Sequence, residues 1–372
     1  MKIKERNKIR VASLFSGIGA PEFALHRLGV PHEIIFACDN GEVPELVDEE
    51  QVVSALKGLK NWREREEYLQ SLPRSSKRNF VRESFLANYK IKKENFHSNI
   101  RFLDGSQYAG KVDILVGGSP CQSFTLLGYQ KGLEEARGTL FYEFARIVNE
   151  VKPAVFIYEN VQGLVKHDKG KTWEVVQRVF DSLGYKIHYS VLDASKYGLP
   201  QKRRRIFVVG FLNTVEPFEF PKERELKFSM QDFLLENTPE GGCISKQGRI
   251  VLHHGKGDVQ EKFFLSEKIL PGILCEGTGG FKMRPEIDLA IARPLMSTMH
   301  KMHRAGEDNY VTTNGRIRRL APRECLRLMG FTDEFKQVVS DTQMYRQAGN
   351  SMAVDVMMGL FSQVLKALKW SV

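Results

Sequence analysis

The sequence predicts an α/β fold in which a doubly wound, mostly parallel sheet is joined by a second, smaller domain. Over the first 212 residues, short apolar runs typical of buried strands alternate with segments of helical periodicity. A turn containing two glycines directly follows the first apolar run, as in sheets that bind nucleotides beyond their strand ends. Together these two features indicate a Rossmann-like core.

The individual strands and helices follow from this alternation. The expected strands are 9–15, 33–38, 99–103, 113–116, 154–158, 186–192 and 205–211. The expected helices include 21–28, 140–150, 171–183 and a closing helix at 351–368. The charged stretch 41–80 has apolar residues at helical spacing, so we expect a helical insertion on the surface. The sequence assigns no function to this insertion.

The composition changes after Leu212, where the chain becomes rich in Pro and Gly up to Ala292. Such a stretch is typical of a small module with short strands and long loops. We therefore expect residues 1–212 to form the main domain, 213–292 a small domain, and 293–372 to return to the main domain. A chain of 372 residues is long enough for two hydrophobic cores.

Charge and cysteine usage limit the class of protein. Lys and Arg number 55 against 45 Asp and Glu, and the resulting charge of +10 suits a polyanionic partner such as nucleic acid. No apolar run is long enough for a membrane span, and the basic start lacks a signal peptide, so a cytosolic protein is expected. The five cysteines form no Cys-x-x-Cys pair, which predicts free thiols and no metal site.

The glycine turn has the sequence Phe-Ser-Gly-Ile-Gly-Ala at positions 15–20. Its glycines would let the backbone approach a ligand closely, but a dinucleotide site would need a third glycine where this chain has Glu22. Asp39 ends the second strand, where a carboxylate can accept both hydroxyls of a ribose. An ordinary turn and a solvated acid would explain each feature alone. Together they indicate a cofactor that contains adenosine.

Two further strands end in side chains suited to catalysis. The run 112–116 leads into Gly-Gly-Ser-Pro-Cys-Gln, which places Cys121 in a turn beyond a central strand. A lone cysteine is usually buried and inert, but this lead-in makes a thiolate nucleophile a serious candidate. Glu159 follows four apolar residues, and partial burial would raise its pKa and suit it to proton transfer. A surface acid or a helix N-cap region is the alternative.

Two polar segments are less informative by themselves. The run Pro-Gln-Lys-Arg-Arg-Arg at 200–205 fits either a solvated face or phosphate contacts in a nucleic-acid-binding protein. The segment Tyr-Arg-Gln-Ala-Gly-Asn-Ser at 345–351 is expected to be a polar turn that opens the closing helix.

Taken in order, these motifs resemble the bacterial and phage DNA (cytosine-5)-methyltransferase family. The resemblance runs from about Val11 to Gly359, apart from 41–80 and 212–292, and five motifs in the same order make coincidence implausible. It implies a methyltransferase that acts on a cytosine flipped out of duplex DNA, with 213–292 as the target-recognition domain. It assigns catalysis to Cys121, Glu159, Arg203 and Arg205.

The resemblance also implies a cofactor, S-adenosyl-L-methionine, with S-adenosyl-L-homocysteine as its product. The residues expected to contact this cofactor are Phe15, Gly17, Ile18, Asp39, Asn40, Asn99, Pro120 and Asn350. The family commonly has an acid near the position of Asn99, facing the adenine amine, whereas this chain has an amide. The residues expected to contact DNA are Gln122, Arg137, Lys246, Arg249 and Lys256. A monomer is expected, and a cognate restriction endonuclease of the same system is a candidate partner.

Two other functions remain as alternatives. An RNA cytosine-5 methyltransferase could use the same scaffold, but the long recognition segment and the lack of an added RNA-binding module favour DNA. A catalytically inactive DNA-binding regulator is disfavoured because Cys121, Glu159 and Arg205 are all present. A nicotinamide oxidoreductase fits less well still, given Glu22 in the glycine turn.

Overall fold

The computed structural model describes most of the chain. The described residues are 7–59, 61–120, 139–213, 217–278, 281–282 and 285–370. Three predicted site residues, Cys121, Gln122 and Arg137, lie outside these ranges. Within the described residues, no helix combines the length and the apolar character needed to cross a membrane.

Strands and helices alternate along the first half of the chain, as the sequence predicts. The strands are β1 (Ile9–Leu14), β2 (His32–Cys38), β3 (Phe96–His97), β4 (Ile114–Gly117), β5 (Val155–Val161), β6 (Lys186–Asp193), β7 (Arg204–Phe211), β8 (Cys243–Lys246), β9 (Arg249–Leu252), β10 (Gly277–Thr278), β11 (Phe281–Lys282), β12 (Tyr310–Thr313) and β13 (Arg316–Arg319). The helices are α1 (Ala20–Arg27), α2 (Glu49–Gly58), α3 (Trp62–Ser71), α4 (Phe80–Asn88), α5 (Leu140–Val151), α6 (Lys171–Ser182), α7 (Leu270–Leu274), α8 (Pro322–Leu328), α9 (Asp341–Asn350) and α10 (Val354–Ala367).

The chain divides into two compact units. The first consists of Met1–Gly17, His32–Val191 and Ile206–Glu216, and the second of Ile18–Pro31, Leu192–Arg205 and Pro217–Val372. The division of the sequence at 212 and 292 into catalytic and target-recognition parts stays a prediction.

The central sheet has seven strands in the order β3-β2-β1-β4-β5-β7-β6. The chain begins in the middle of the sheet, builds outward to β3, and then returns to add β4 and β5 on the other side of β1. The pairs β1–β2, β1–β4, β2–β3 and β4–β5 are all parallel. This topology confirms the predicted doubly wound, mostly parallel fold.

The middle of the sheet is buried because both of its faces are covered. Every residue of β4 is buried, as are the first four residues of β5. On one face lies a cluster of buried aromatic side chains from α5, β5 and α6. Its members include Phe141, Phe144, Phe156, Tyr158 and Phe180.

Two predictions of local structure are wrong. Residues 99–103 form a turn rather than a strand, because the Asn99 side chain accepts a hydrogen bond from the backbone N–H of Arg101. The neighbouring strand is instead the two-residue β3. The segment 345–351 is the end of α9 and not the opening of the closing helix, which begins at Val354. The chain is extended at Ser351, so the two helices are separate.

In the second unit, α1 packs along α10, and a buried ion pair joins them. Arg27 at the end of α1 donates to Asp355 of α10 at 2.5 Å, and its guanidinium also reaches the carbonyl oxygens of Gly330 and Gly248. The Arg27 side chain is fully buried and that of Asp355 is only 10% exposed. This one side chain therefore holds four segments of the unit together.

Replacing Asp355 with Ala should lower the free energy of unfolding by about 3–5 kcal/mol, because the buried Arg27 charge would lose its partner. A matched control is Glu174→Ala, which removes an exposed i,i+4 contact with Arg178 at 4.0 Å and should change stability by no more than about 0.5 kcal/mol. Urea denaturation of both variants makes the comparison. Small and equal losses would show that the Arg27–Asp355 pair does not hold the unit together.

Candidate active site at the carboxyl edge of the sheet

The register of the parallel strands brings three strand ends and one position within β5 to the same level. Leu14, the last residue of β1, pairs with Cys38 of β2 and with Gly117 of β4. Gly117 in turn pairs with Tyr158 of β5. Because parallel strands point the same way, the residues that follow each of these positions emerge at one edge of the sheet.

The glycine turn at this edge leaves room beside its backbone. Phe15 and Gly17 both have positive φ angles, +52° and +51°, and the Ser16 N–H donates to the Cys38 carbonyl at 3.1 Å. A side chain at Gly17 would meet no atom within 4 Å, so the space next to its Cα is open. The next residue, Ile18, is buried and belongs to the second unit.

Asp39 lies directly beyond β2 and is half-buried. One carboxylate oxygen accepts the Gly17 N–H at 2.9 Å and the other accepts the Gly41 N–H at 2.8 Å. Burial raises the pKa of Asp39, and the two backbone donors partly oppose that rise. Each oxygen has a second lone pair, so the carboxylate can also accept the two hydroxyls of a ribose. The exposed Asn40 follows it in the chain.

These residues fit an adenosine-containing cofactor. The Ser16 hydroxyl is buried and has no hydrogen-bond partner within the described residues, which leaves a polar atom available in this turn. The open space beside Gly17 and the Asp39 carboxylate, which accepts the Gly17 N–H, are the other two features that suit such a cofactor.

Asn99 is a predicted contact of the adenine, and its side-chain amide is held by hydrogen bonds to three other residues. Its side-chain oxygen accepts the Arg101 N–H at 2.9 Å. Its NH2 group donates to the carboxylates of Glu45 and Glu49, both at 2.8 Å. The amide is therefore engaged by its own loop and by the stretch 41–80.

The turn that leads to Cys121 is fixed by buried hydrogen bonds. Asn160 donates through its side-chain NH2 to the Ser119 carbonyl at 3.0 Å and to the Tyr158 hydroxyl at 2.9 Å. The Tyr158 and Ser119 hydroxyls are 2.7 Å apart. Pro120, the last described residue before Cys121, is exposed at the end of this turn.

A glycine is required at the end of β4. A Cβ atom at Gly117 would lie 2.8 Å from the Leu14 carbonyl oxygen and 2.8 Å from a ring carbon of Phe144. A larger residue would therefore push β4 away from β1 and from the aromatic core.

Glu159 is half-buried in β5, between the buried Tyr158 and Asn160. Because side chains alternate along a strand, Tyr158 and Asn160 face one side of the sheet and Glu159 faces the other. The Glu159 side chain therefore lies on the opposite face of the sheet from Tyr158 and Asn160, which hold the turn at Ser119. The sequence analysis singled out Glu159 and missed Asn160, which is the next residue in the chain.

Arg203 belongs to the second unit and is only 4% exposed. Its guanidinium donates to the carbonyl oxygens of Leu295, Gly349 and Ser351 at 3.1, 2.9 and 2.8 Å. These contacts hold the end of α9, where the exposed Asn350 lies. A contact of Arg203 with cytosine or its phosphate stays a prediction.

Arg205, two residues later, is half-buried. One of its guanidinium nitrogens donates to the Arg204 carbonyl at 2.9 Å. It is thus more accessible than Arg203, although the two lie in the same basic run.

Lys246 and Arg249, two predicted DNA contacts, face each other across the β8–β9 hairpin and are exposed. The turn between them is packed, because the Gly248 carbonyl accepts from Arg27 at 3.1 Å. The backbone at the tip of this hairpin is therefore anchored while both basic side chains stay exposed, and their contact with DNA stays a prediction. Lys256, also exposed, lies in an irregular stretch after β9.

Known proteins resemble this chain over most of its length. A sequence profile of the C-5 cytosine-specific DNA methylase family matches residues 74–366. The chain is 37% identical over 247 residues to the type II methyltransferase M.HhaI of Haemophilus parahaemolyticus, covering 66% of this chain and 73% of that protein.

Two further matches extend the comparison. The type II methyltransferase M.MspI of a Moraxella species is 37% identical over 259 residues, or 69% of this chain, which spans 57% of that protein. The crystal structure of the S. pombe Dnmt2 methyltransferase shares the fold, with a TM-score of 0.67 and 19% identity over 98% of this chain and 100% of that one. The chain belongs to the C-5 cytosine-specific DNA methylase family, whose chemistry implies dependence on S-adenosylmethionine.

Proposed function

We propose that this chain methylates carbon 5 of a cytosine flipped out of a specific duplex DNA sequence. The observation that carries the proposal is the strand register, which places Asp39, Glu159 and the Ser119–Pro120 turn at one edge of the sheet. When bound, S-adenosyl-L-methionine supplies an electrophilic methyl group and leaves as S-adenosyl-L-homocysteine.

The protein's chemical task is to make cytosine reactive. Carbon 5 is a poor nucleophile because the ring is electron-poor. Addition of the Cys121 thiolate to carbon 6 would convert the ring to an enamine and make carbon 5 nucleophilic. Glu159 would engage N3 and the exocyclic amine as the thiolate adds. Once carbon 5 had taken the methyl group, with S-adenosyl-L-homocysteine as the leaving group, loss of the carbon 5 proton to a base and expulsion of the Cys121 thiolate would restore the aromatic ring.

The cofactor is proposed to bind at the strand ends. Asp39 is proposed to bind the ribose, and the open space at Gly17 would admit the cofactor next to the backbone. The other proposed contacts are Phe15, Ile18, Asn40, Pro120 and Asn350. Arg203 is proposed as a positioning residue. Its guanidinium donates to three carbonyl oxygens and so holds the end of α9, where Asn350 lies.

DNA binding would combine phosphate contacts with base contacts. The net charge of +10 supports a polyanionic substrate, and Arg205 is proposed to hold the flipped cytosine. Gln122 and Arg137 are proposed DNA contacts on the chain that follows Pro120. Relatives named type II methyltransferases support duplex DNA over RNA and make a cognate restriction endonuclease the candidate partner. We propose that the protein acts as a monomer.

Cys121→Ser should abolish methyl transfer while leaving DNA binding largely intact, because phosphate contacts dominate affinity. Duplex DNA with 5-fluorocytosine should trap the wild-type protein covalently, since fluorine at carbon 5 prevents the proton loss that precedes release. Cys275→Ser, which changes a half-buried free thiol elsewhere, is the matched control and should behave as wild type. Turnover by Cys121→Ser near the wild-type rate would overturn the assignment of the nucleophile.

Asp39→Ala should weaken binding of S-adenosylhomocysteine by tens-fold or more, on the order of 2–3 kcal/mol for a pair of charge-assisted hydrogen bonds. Isothermal titration calorimetry gives the affinity directly. Glu50→Ala, an exposed acid of α2, is the control and should bind as wild type. Equal affinities for the Asp39 variant and the wild type would remove Asp39 from the cofactor site.

Asn160→Ala should lower the free energy of unfolding by about 1–3 kcal/mol, because the buried Ser119 carbonyl loses its side-chain donor. Methyl transfer should slow as well, while affinity for S-adenosylhomocysteine is retained. Asn237→Ala removes an exposed amide that donates to Gln231 and should cost much less. An Asn160 variant with wild-type stability and rate would show that the turn is held by other contacts.

The segment 213–292 is proposed to select the DNA sequence. Alanine at a residue that reads a base should relax specificity at one position, whereas alanine at a phosphate contact should weaken all sites alike. Because the β8–β9 turn is anchored, we expect Lys246→Ala and Arg249→Ala to leave the recognised sequence unchanged. Lys256→Ala is the better candidate for a change. Mapping methylated cytosines in a methylation-free host tests all three, and relaxed specificity in the Arg249 variant would refute the structural role of the hairpin.

A further inference from the structure

The insertion at 41–80 is attached beside the proposed cofactor site. At its start, the Gly41 N–H donates to the Asp39 carboxylate at 2.8 Å. At its end, the Asn79 side chain donates to the Asp39 carbonyl at 2.9 Å. A side chain at Gly41 would overlap the Asn79 amide, and the φ of Gly41 is +61°, so only glycine fits there. Both ends of the insertion therefore meet at Asp39.

The strand order indicates which part of the cofactor the insertion would face. The methyl end must serve the turn after β4, and the ribose is proposed to bind at the end of β2. With the order β3-β2-β1-β4, an extended cofactor must then direct its adenine toward the end of β3. The Asp39 N–H donates to the His97 carbonyl of β3, and Asn99 lies two residues beyond. Asn99 is thus on the adenine side.

The Asn99 amide is a weaker acceptor for the amine of adenine than a carboxylate would be. Its neutral oxygen already accepts the Arg101 N–H and keeps one lone pair, and its NH2 group can only donate. This NH2 group donates to two carboxylates of the insertion, Glu45 and Glu49, both at 2.8 Å. Two charged acceptors therefore lie beside the Asn99 amide.

The two carboxylates differ in the acceptor capacity that remains. Glu49 uses one oxygen for Asn99 and the other for the Arg101 guanidinium at 3.1 Å. Glu45 uses one oxygen for Asn99, and its second oxygen has no hydrogen-bond partner within the described part of the chain. Glu45 is exposed, so a ligand can reach it.

We propose that Glu45 is a specificity-determining residue that accepts the exocyclic amine of the cofactor's adenine. Asn99 would orient this carboxylate through its side-chain NH2 group, which donates to Glu45 at 2.8 Å. This inference rests on the proposed binding of S-adenosylmethionine at Asp39.

Calorimetry with two ligands and the full-length chain tests the proposal. The ligands are S-adenosylhomocysteine and its analogue in which hydrogen replaces the 6-amino group of the purine. The wild type should bind S-adenosylhomocysteine about tenfold more tightly, as expected for one hydrogen bond to a charged group. Glu45→Ala should lose this preference by weakening S-adenosylhomocysteine alone. The matched control, Glu50→Ala, should keep the preference.

The possible outcomes separate this inference from the proposed function. A Glu45→Ala protein that keeps the tenfold preference, or that weakens both ligands equally, would overturn the role of Glu45 and leave the cofactor site intact. A wild-type protein that binds neither ligand would overturn the proposed cofactor site, and the role of Glu45 would fail with it.

Discussion

The parallel register of β1 with its two neighbours is the constraint on which the rest of the site depends. Leu14 pairs with both Cys38 and Gly117, so three strands end at one level, and Tyr158 of β5 joins them through Gly117. Residues far apart in the sequence then emerge at the same edge. Gly117 protects this alignment because any side chain there would press on the Leu14 carbonyl and on Phe144.

Buried side chains hold segments near the functional residues in defined conformations. Asn160 fixes the Ser119–Pro120 turn by donating to the Ser119 carbonyl oxygen. Arg203 fixes the end of α9, where Asn350 lies, by donating to the Gly349 carbonyl oxygen. A loop held in this way can present a functional group at its surface while its backbone stays in place. The same logic applies to the insertion, whose ends are tied to Asp39.

Much of the fold could be predicted because buried parallel strands are rich in apolar residues, as in β4 and the first four residues of β5. The failure at 99–103 has a local cause: Ile100 and Leu103 are apolar and buried, but the Asn99 side chain stabilises a turn. Periodicity does not distinguish a buried turn from a short strand. The prediction for 345–351 was wrong for a tertiary reason: Gly349 packs so closely against the backbone of Ser297 that a Cβ atom would not fit, and this contact with a distant segment has no signal in the sequence.

The positions of Asp39 and Glu159 near the ends of their strands could be predicted from the apolar runs that precede them, while their functional roles stay predictions. The site could not be predicted where the role depends on burial or on distant partners. A basic run is typical of a solvated surface, so the burial of Arg203 among carbonyl groups has no signal in the sequence. The contact between Asn99 and Glu45 joins residues 54 positions apart through an insertion, and no motif marks it.

The central claim is that one edge of the sheet binds the cofactor and the flipped cytosine together. The most direct test is a crystal structure of the protein with S-adenosylhomocysteine and a duplex that contains its recognised sequence. We expect the ribose hydroxyls at the Asp39 carboxylate and an extruded cytosine between Glu159 and the sulfur of Cys121. A cofactor bound away from Asp39, or a target cytosine still stacked in the duplex beside a bound cofactor, would contradict this account.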